Sequence, residues 1–248
     1  MRILLCGCLG HMGRAVAEAA AAAGHTVAAG VDCLPGERSF PVYTEAKLVT
    51  EEADAIIDFS HPSALKGTLA CAIERGIPAV IATTGLEDSQ IAAIHEAAAE
   101  VPVFFSSNMS LGVALLAALT KKAAAVLGSD FDVEIVEMHH NRKLDAPSGT
   151  ALMLADAARE GLNHPVEYIY DRHDRRQKRT PDEIGISSVR GGNIIGEHQV
   201  IFAGGDEVIN LTHRAQSREI FAAGALRAAA FLCEQPAGLY TMESLLKL

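Results

Sequence analysis

Apolar residues arrive in short bursts along the N-terminal part of the chain, and each burst is closed by glycine or polar residues. Arg2-Ile3-Leu4-Leu5-Cys6 is followed by Gly7-Cys8-Leu9-Gly10-His11-Met12-Gly13 and then by the helical Arg14–Ala20, which reads as strand, glycine turn, helix. Gly24 ends that helix, and His25–Val31 forms a second strand with Asp32 at its end. Ala55–Pro62 reads as a strand running into a turn, with a returning helix marked by Leu65, Leu69, Ala72 and Ile73. Ala79–Gly85 and Val103–Met109 repeat the pattern. Strands alternating with helices predict a parallel sheet with ligands at the strands' carboxyl ends.

Beyond this point the pattern changes. Leu111–Leu127 is one long, alanine-rich apolar helix, and Phe131–Val136 alternates as a half-buried strand does. Ile184–Arg190, Ile194–Phe202 and Val208–His213 alternate as antiparallel strands, with turns at Arg190-Gly191-Gly192 and Ala203–Asp206. An alanine-rich helix resumes from Ser217 through Phe231, ends at Gln235–Gly238, and is expected to fold back onto the first domain. The fold class is therefore α/β: a discontinuous Rossmann-type dinucleotide-binding domain of residues 1–110 and 218–248, and a second α+β domain of residues 111–217 with an open mixed sheet.

The densest chemistry lies in Glu137-Met138-His139-His140-Asn141-Arg142-Lys143-Leu144-Asp145-Ala146-Pro147-Ser148-Gly149-Thr150. Its histidines fall where a strand leaves the core, and Pro147 and Ser148 precede the helical Ala151–Ala158, so a helix starts near Ser148. The first N–H groups of a helix lack internal partners, and Gly149 and Thr150 can offer theirs to a carboxylate or phosphate. Lys143 can bind an anion or release a proton, and His139 and His140 titrate near neutrality. Adjacent histidines in extended chain face opposite ways, so one of the two meets a given ligand atom. No metal site is expected, because the cysteines lie far off and the helical spacing of histidine ligands is missing.

The glycine turn has the spacing G-x-x-G-x-x-G, with Cys8 and Leu9 between the first two glycines. Its backbone can approach a pyrophosphate, and Asp32 can bind the adenosine ribose hydroxyls. An acid there disfavours a 2'-phosphate, and Cys33-Leu34 brings no adjacent cation, although Arg38 lies near in sequence; NADH is expected to be preferred over NADPH. Thr83, Thr84 and the Ser106–Met109 backbone would face the nicotinamide side.

With 49% hydrophobic residues the chain is no disordered protein, and a net charge of -10 argues against nucleic acid or an anionic membrane as partner. The cationic run Asp171–Arg179 is interleaved with acids and reads as a solvated loop, with a cofactor or subunit contact as the alternative. Five scattered cysteines suit free thiols in a reducing compartment. The apolar start Ile3–Cys6 is too short for a secretion signal, and no stretch is read as long enough to cross a bilayer, so a cytoplasmic protein is expected.

Taken together, these residues resemble the 4-hydroxy-tetrahydrodipicolinate reductase (dihydrodipicolinate reductase) family over essentially the whole length. The resemblance rests on Gly7-x-x-Gly10-x-Met12-Gly13, Asp58–Pro62, Thr83-Thr84-Gly85, Ser107–Ser110, the Glu137–Thr150 span, Gly196-Glu197-His198 and Thr212–Ala215. It implies NAD(P)H-dependent reduction of 4-hydroxy-tetrahydrodipicolinate to tetrahydrodipicolinate in the diaminopimelate pathway of lysine biosynthesis, by a homotetramer built through the second domain. It assigns His139 and Lys143 to catalysis, leaving open which delivers the proton. His140, Gly149 and Thr150 go to the carboxylates of a small dicarboxylate substrate. Gly7, Cys8, Leu9, Gly10, His11, Met12, Asp32, Ala82, Thr83, Thr84, Ser106, Ser107, Asn108 and Met109 go to the dinucleotide. The chain departs from the family at Cys8, where alanine is frequent, and at Ala114, where many members have asparagine. Two rivals are another two-domain NAD(P)-dependent dehydrogenase, which would need a different catalytic set such as a nucleophilic cysteine, and a nucleotide sensor without turnover.

Overall fold

The computed structural model describes residues 1–173 and 175–246. The chain divides into two compact units, Met1–Leu111 with Arg218–Leu248, and Gly112–Ser217.

The first unit begins with β1 (Arg2–Cys6), α1 (His11–Ala22), β2 (Thr26–Val31), β3 (Val42–Tyr43) and β4 (Ala55–Asp58), followed by α2 (Leu65–Arg75), β5 (Ala79–Ile81), α3 (Asp88–Ala97) and β6 (Pro102–Phe105). Ile3, Leu4, Leu5, Ile56, Ile57, Val80 and Ile81 are wholly buried. Such unbroken apolar runs suit parallel strands covered on both faces. β1 lies between β2 and β4, with Cys6 level with Val31 on one side and Asp58 on the other. The chain therefore leaves three neighbouring strands at one edge of the sheet, at Gly7, Asp32 and Phe59, where the strand order reverses.

The second unit holds most of α4 (Leu111–Leu127), then β7 (Asp132–His139), α5 (Gly149–Gly161), β8 (Glu167–Tyr170), β9 (Glu183–Arg190), β10 (Glu197–Ala203) and β11 (Val208–Arg214). Its sheet runs β11-β10-β7-β9-β8. Val133 and Ile135 of β7, Ile184 and Ile186 of β9, and Val200 and Phe202 of β10 form one core with Leu116 and Ala124 of α4 and Ala151, Leu154, Ala155 and Ala158 of α5. Alternation places Glu134, Val136 and Met138 on the opposite face, half-buried.

Three expectations are corrected here. β9 and β10 are not hairpin partners across Arg190-Gly191-Gly192; β7 lies between them, parallel to β9 and antiparallel to β10. Gly185 suits that pairing, since a Cβ there would stand 1.8 Å from Glu134 Oε2 and would push the β7 carboxylate aside. The cationic run is not simply solvated: Arg172 pairs with Glu183 at 2.6 Å and Glu134 at 3.1 Å, and Arg179 with Asp132 at 2.6 Å and Glu134 at 3.1 Å. Glu183 is buried and needs a cation beside it, which Arg172 supplies. Asp174, in the same run, lies outside the described residues. Finally, Leu111–Asp130 is a helix long and apolar enough to cross a membrane by length and composition. Here Leu116 and Ala124, with Ala117, Ala123 and Leu127 against them, spend part of that apolar surface on the core of the second unit.

The chain then returns to the first unit through α6 (Glu219–Leu232) and β12 (Gly238–Tyr240). β12 adds parallel to β6, completing the order β12-β6-β5-β4-β1-β2-β3. Gly224 lets α6 come close to the strand-end loop, because a Cβ there would lie 1.7 Å from the Met109 carbonyl oxygen.

Candidate active site

In the first unit a cavity of about 560 Å³ opens at the carboxyl ends of β1, β2 and β4. Gly7 at its floor has φ of +77° and sits so close to β4 that a Cβ would fall 2.6 Å from the Phe59 carbonyl oxygen. Gly13 packs α1 onto the turn, where a Cβ would lie 2.2 Å from the Gly7 carbonyl oxygen. α1 starts at Gly10 with no side-chain cap, so its first N–H groups, at His11, Met12 and Gly13, are left to an anion. Glycines bring the backbone to the ligand, an uncapped helix start offers donors, and an acid closes the next strand: these fit a dinucleotide.

Of the residues expected at the dinucleotide, Gly7, Leu9, Gly10 and Asp32 line this cavity. Asp32 Oδ2 accepts from the Leu9 N–H at 2.9 Å, and Oδ1 from the Leu34 N–H at 3.3 Å, so the carboxylate also ties the glycine turn to β2. Cys8 is buried behind the turn, its thiol pushed up to about 11 by burial and then by Asp32. Arg38 stacks over Phe40 at 5.6 Å. Ala82 and Thr83 are buried, and Thr83 Oγ1 donates to Asp58 Oδ1 and the Ser60 carbonyl at 3.2 Å each; Thr84 and Ser107 are exposed. Ser106 and Asn108 are half-buried and fold their loop with local hydrogen bonds, and Met109 is buried. Phe59, Ser60, His61 and Thr44–Lys47 line the cavity without having been assigned to it from sequence. The Asp58–Pro62 motif was visible, but nothing in it declared which side chains turn to the ligand.

In the second unit the central span is held by three strands and a helix. Glu137 and His139 project from β7 to the helix-covered face, and the register sets Glu137 beside Ser188 of β9 and His198 of β10, with Arg190 beside His139. Glu137 is fully buried. Its Oε1 accepts from Arg190 Nη2 at 2.6 Å and from the Ser148 N–H at 3.2 Å; its Oε2 accepts from Arg190 Nη1 at 2.8 Å and lies 2.6 Å from His139 Nδ1. Burial works to raise this carboxyl, but Arg190, Ser188 and His139 outweigh it and bring it down to about 2. Glu137 is ionised at neutral pH.

His139 is itself buried, and its ring meets that of His198 edge-on, centroids 5.1 Å apart. His198 Nε2 bonds Ser148 Oγ at 3.0 Å, and burial, then the neighbouring His139, pushes His198 down to about 4. Ser148 is the N-cap of α5, its Oγ accepting from the Ala151 N–H at 3.2 Å. Gly149 opens the helix with nothing within 4 Å of where a Cβ would stand, so the helix start is clear for an incoming group. Lys143 Nζ pairs with the half-exposed Asp145 Oδ1 at 2.8 Å. His140 is half-buried, and its carbonyl accepts from the Lys143 N–H at 3.2 Å. His139, His140, Lys143, Gly149 and Thr150 are therefore gathered around one strand end and one helix start. Arg190 and His198 were given no site role from sequence, although His198 stood in the Gly196-Glu197-His198 motif; strand parity could have pointed to both, but it is mute without the register.

Among the described residues no cluster of three or more metal-ligating side chains occurs. The family model for the N-terminus of dihydrodipicolinate reductase matches residues 1–109, and that for its C-terminus matches residues 112–246. A 4-hydroxy-tetrahydrodipicolinate reductase of Caldanaerobacter subterraneus subsp. tengcongensis is 52% identical, the alignment covering 100% of this chain and 98% of that one. One from Zymomonas mobilis is 45% identical over 100% and 98% of the two chains. Among solved structures, a dipicolinate-bound dihydrodipicolinate reductase from Paenisporosarcina sp. TG-14 superposes with a TM-score of 0.80 at 25% identity, covering 97% of each chain. Matched across its glycine turn, its Glu137–Thr150 span and its full length, the chain belongs to the dihydrodipicolinate reductase family.

Proposed function

We infer that this chain reduces 4-hydroxy-tetrahydrodipicolinate to tetrahydrodipicolinate with NAD(P)H, in the diaminopimelate route to lysine. The observation that carries the reading is the gathering of an oriented imidazole, a lysine and an open helix start within Glu137–Thr150. The reduced nicotinamide supplies the hydride. Gly7, Gly10 and the start of α1 hold the pyrophosphate, and Asp32 meets the adenosine ribose. Gly149 and Thr150, with His140, take the substrate's carboxylates, a role favoured by the positive end of α5.

The conversion takes up a hydride and a proton and releases the 4-hydroxyl as water; Lys143 or His139 gives a proton to the ring, which makes the ring a better hydride acceptor. The Lys143–Asp145 pair lies toward solvent, where such pairs are weak, so a substrate carboxylate can displace Asp145 at small cost. His139 Nδ1 is occupied by Glu137, which leaves Nε2 for the exchange; Gly196 keeps that atom accessible, since a Cβ there would stand 3.1 Å from it.

NADH is the preferred donor on this reading, because Asp32 repels a 2'-phosphate, and the protein works in the cytoplasm. The open face of the second unit's sheet carries Val136, Met138, Val189 and Ile201, half-buried or exposed. An apolar stripe of this kind supports assembly into a homotetramer through that face.

The test follows NADH and then NADPH oxidation with substrate freshly made from pyruvate and aspartate semialdehyde by a dihydrodipicolinate synthase. Lys143→Ala should lower kcat about 100-fold or more while changing the NADH Kd little. Unchanged turnover, or a defect confined to NADH affinity, removes Lys143 from the chemistry. Binding of NADH without substrate-dependent oxidation would favour the sensor reading instead.

A further inference from the structure

The carboxylate behind His139 touches no reacting atom in the chemistry above, yet it is the most heavily bonded acid of the second unit's site. Glu137 takes two N–H groups from Arg190, at 2.6 and 2.8 Å, and the Ser148 N–H at 3.2 Å. The Ser188 side chain also bonds it, and His139 Nδ1 lies 2.6 Å from Oε2. An ionised carboxylate only accepts, so the proton in that short contact belongs to Nδ1. The other ring nitrogen, Nε2, then carries the lone pair. The adjoining imidazole does not compete for this place, because His198 spends its Nε2 on Ser148 Oγ at 3.0 Å.

We propose that Glu137, clamped by Arg190, is a positioning residue for His139: it fixes the Nδ1–H tautomer and the plane of the ring, so that Nε2 alone exchanges a proton with the substrate. This rests on His139 being an acid–base group of the reductase. The clamp matters because one carboxylate oxygen alone would let the imidazole swing; two donors from Arg190 and one from the Ser148 backbone fix both oxygens. It also couples the ring to the start of α5, since the backbone of Ser148 bonds Glu137 while its side chain caps the helix. A purely structural ion pair makes a different forecast, in which its loss costs stability and leaves turnover per folded molecule intact.

Glu137→Gln separates the two. Arg190 keeps the amide oxygen, so the amide nitrogen faces Nδ1, which must become an acceptor and pass the proton to Nε2. Turnover should fall about 10- to 100-fold, as for loss of a carboxylate that orients a histidine. The KM for substrate and the Kd for NADH should move less than about twofold. Solid-state nitrogen NMR of histidine-labelled protein reads the tautomer directly, with the His139 signals assigned by their loss in His139→Gln. Wild-type protein should show protonated Nδ1 at a pH where the ring is neutral, and Glu137→Gln should show protonated Nε2.

Full turnover in folded Glu137→Gln overturns the proposal. So does protonated Nε2 in the wild type, a result that decides the matter even where Glu137→Gln does not fold. His139→Gln with unchanged turnover would instead sink the acid–base reading of His139, and with it the proposed exchange at Nε2; a wild-type Nδ1–H signal would then still uphold the hold of Glu137 on the ring.

Discussion

Acid should weaken this protein through one buried imidazole before it touches the carboxylates. His198 is 4% exposed and is held down to about 4 by burial and by the neighbouring His139, whereas in an unfolded chain it returns to about 6.5. Between those two values the unfolded chain binds a proton that the native one refuses, so stability falls as pH falls through this window. From pH 7.5 to pH 5 the difference amounts to about 2 kcal/mol. Glu137 is quiet over the same range. Its carboxyl is lowered to about 2, so the stability it contributes is present in full above the unfolded value and is lost only as pH drops from about 4.5 toward 2.

The assay is urea unfolding at fixed protein concentration, at pH 7.5 and pH 5, for the wild type and His198→Gln. The substitution loosens the contact with Ser148 Oγ and should cost about 1 kcal/mol at both pH values. The informative quantity is the change between them. Burial also lowers His213, but that residue is common to both proteins and cancels. The wild type should lose about 2 kcal/mol more than the variant on acidification. Equal losses would mean that His198 takes up its proton as readily folded as unfolded, and the account of the buried pair of rings would fail.

Two further outcomes follow from close approaches. Gly13→Ala drives a Cβ to 2.2 Å from the Gly7 carbonyl oxygen; it should cost about 1–3 kcal/mol in thermal unfolding and weaken NADH binding in a fluorescence titration, because the turn and the start of α1 move apart. Met138→Glu puts a charge on the open face of the second unit's sheet, leaving the Glu137 side of β7 untouched. Sedimentation should show smaller particles than the wild type, and an unchanged assembly would move the proposed interface elsewhere.

Local chemistry made part of this site legible from the sequence. Gly7, Gly13 and the run before them forecast a strand, a turn and a helix because only that geometry needs glycine at both places, and Ser148 marked the start of α5 because a hydroxyl there satisfies a helix N–H. Pairing between strands is another matter. The alternation of Ile184–Arg190 and Ile194–Phe202 is the same whether they face each other or flank a third strand, and the choice is made by non-local contacts, among them the Glu134 carboxylate lying against Gly185.

The roles of Arg190 and His198 were illegible for that same reason. Each lies about fifty residues from the acid or serine it serves, and each is brought there by register: β9 runs parallel to β7 and puts Arg190 beside His139, while β10 runs antiparallel and puts His198 beside Glu137. A one-residue slip of either strand would turn these side chains to the opposite face of the sheet, away from Glu137 and Ser148. Val133, Ile135, Ile184, Ile186, Val200 and Phe202 forbid the slip, since it would expose the core they form with α4 and α5. The hydrophobic core of the second unit thus does more than stabilise it. By fixing strand parity it delivers an arginine to the carboxylate behind His139, and substitutions that loosen that core should disturb the imidazole before they unfold the unit.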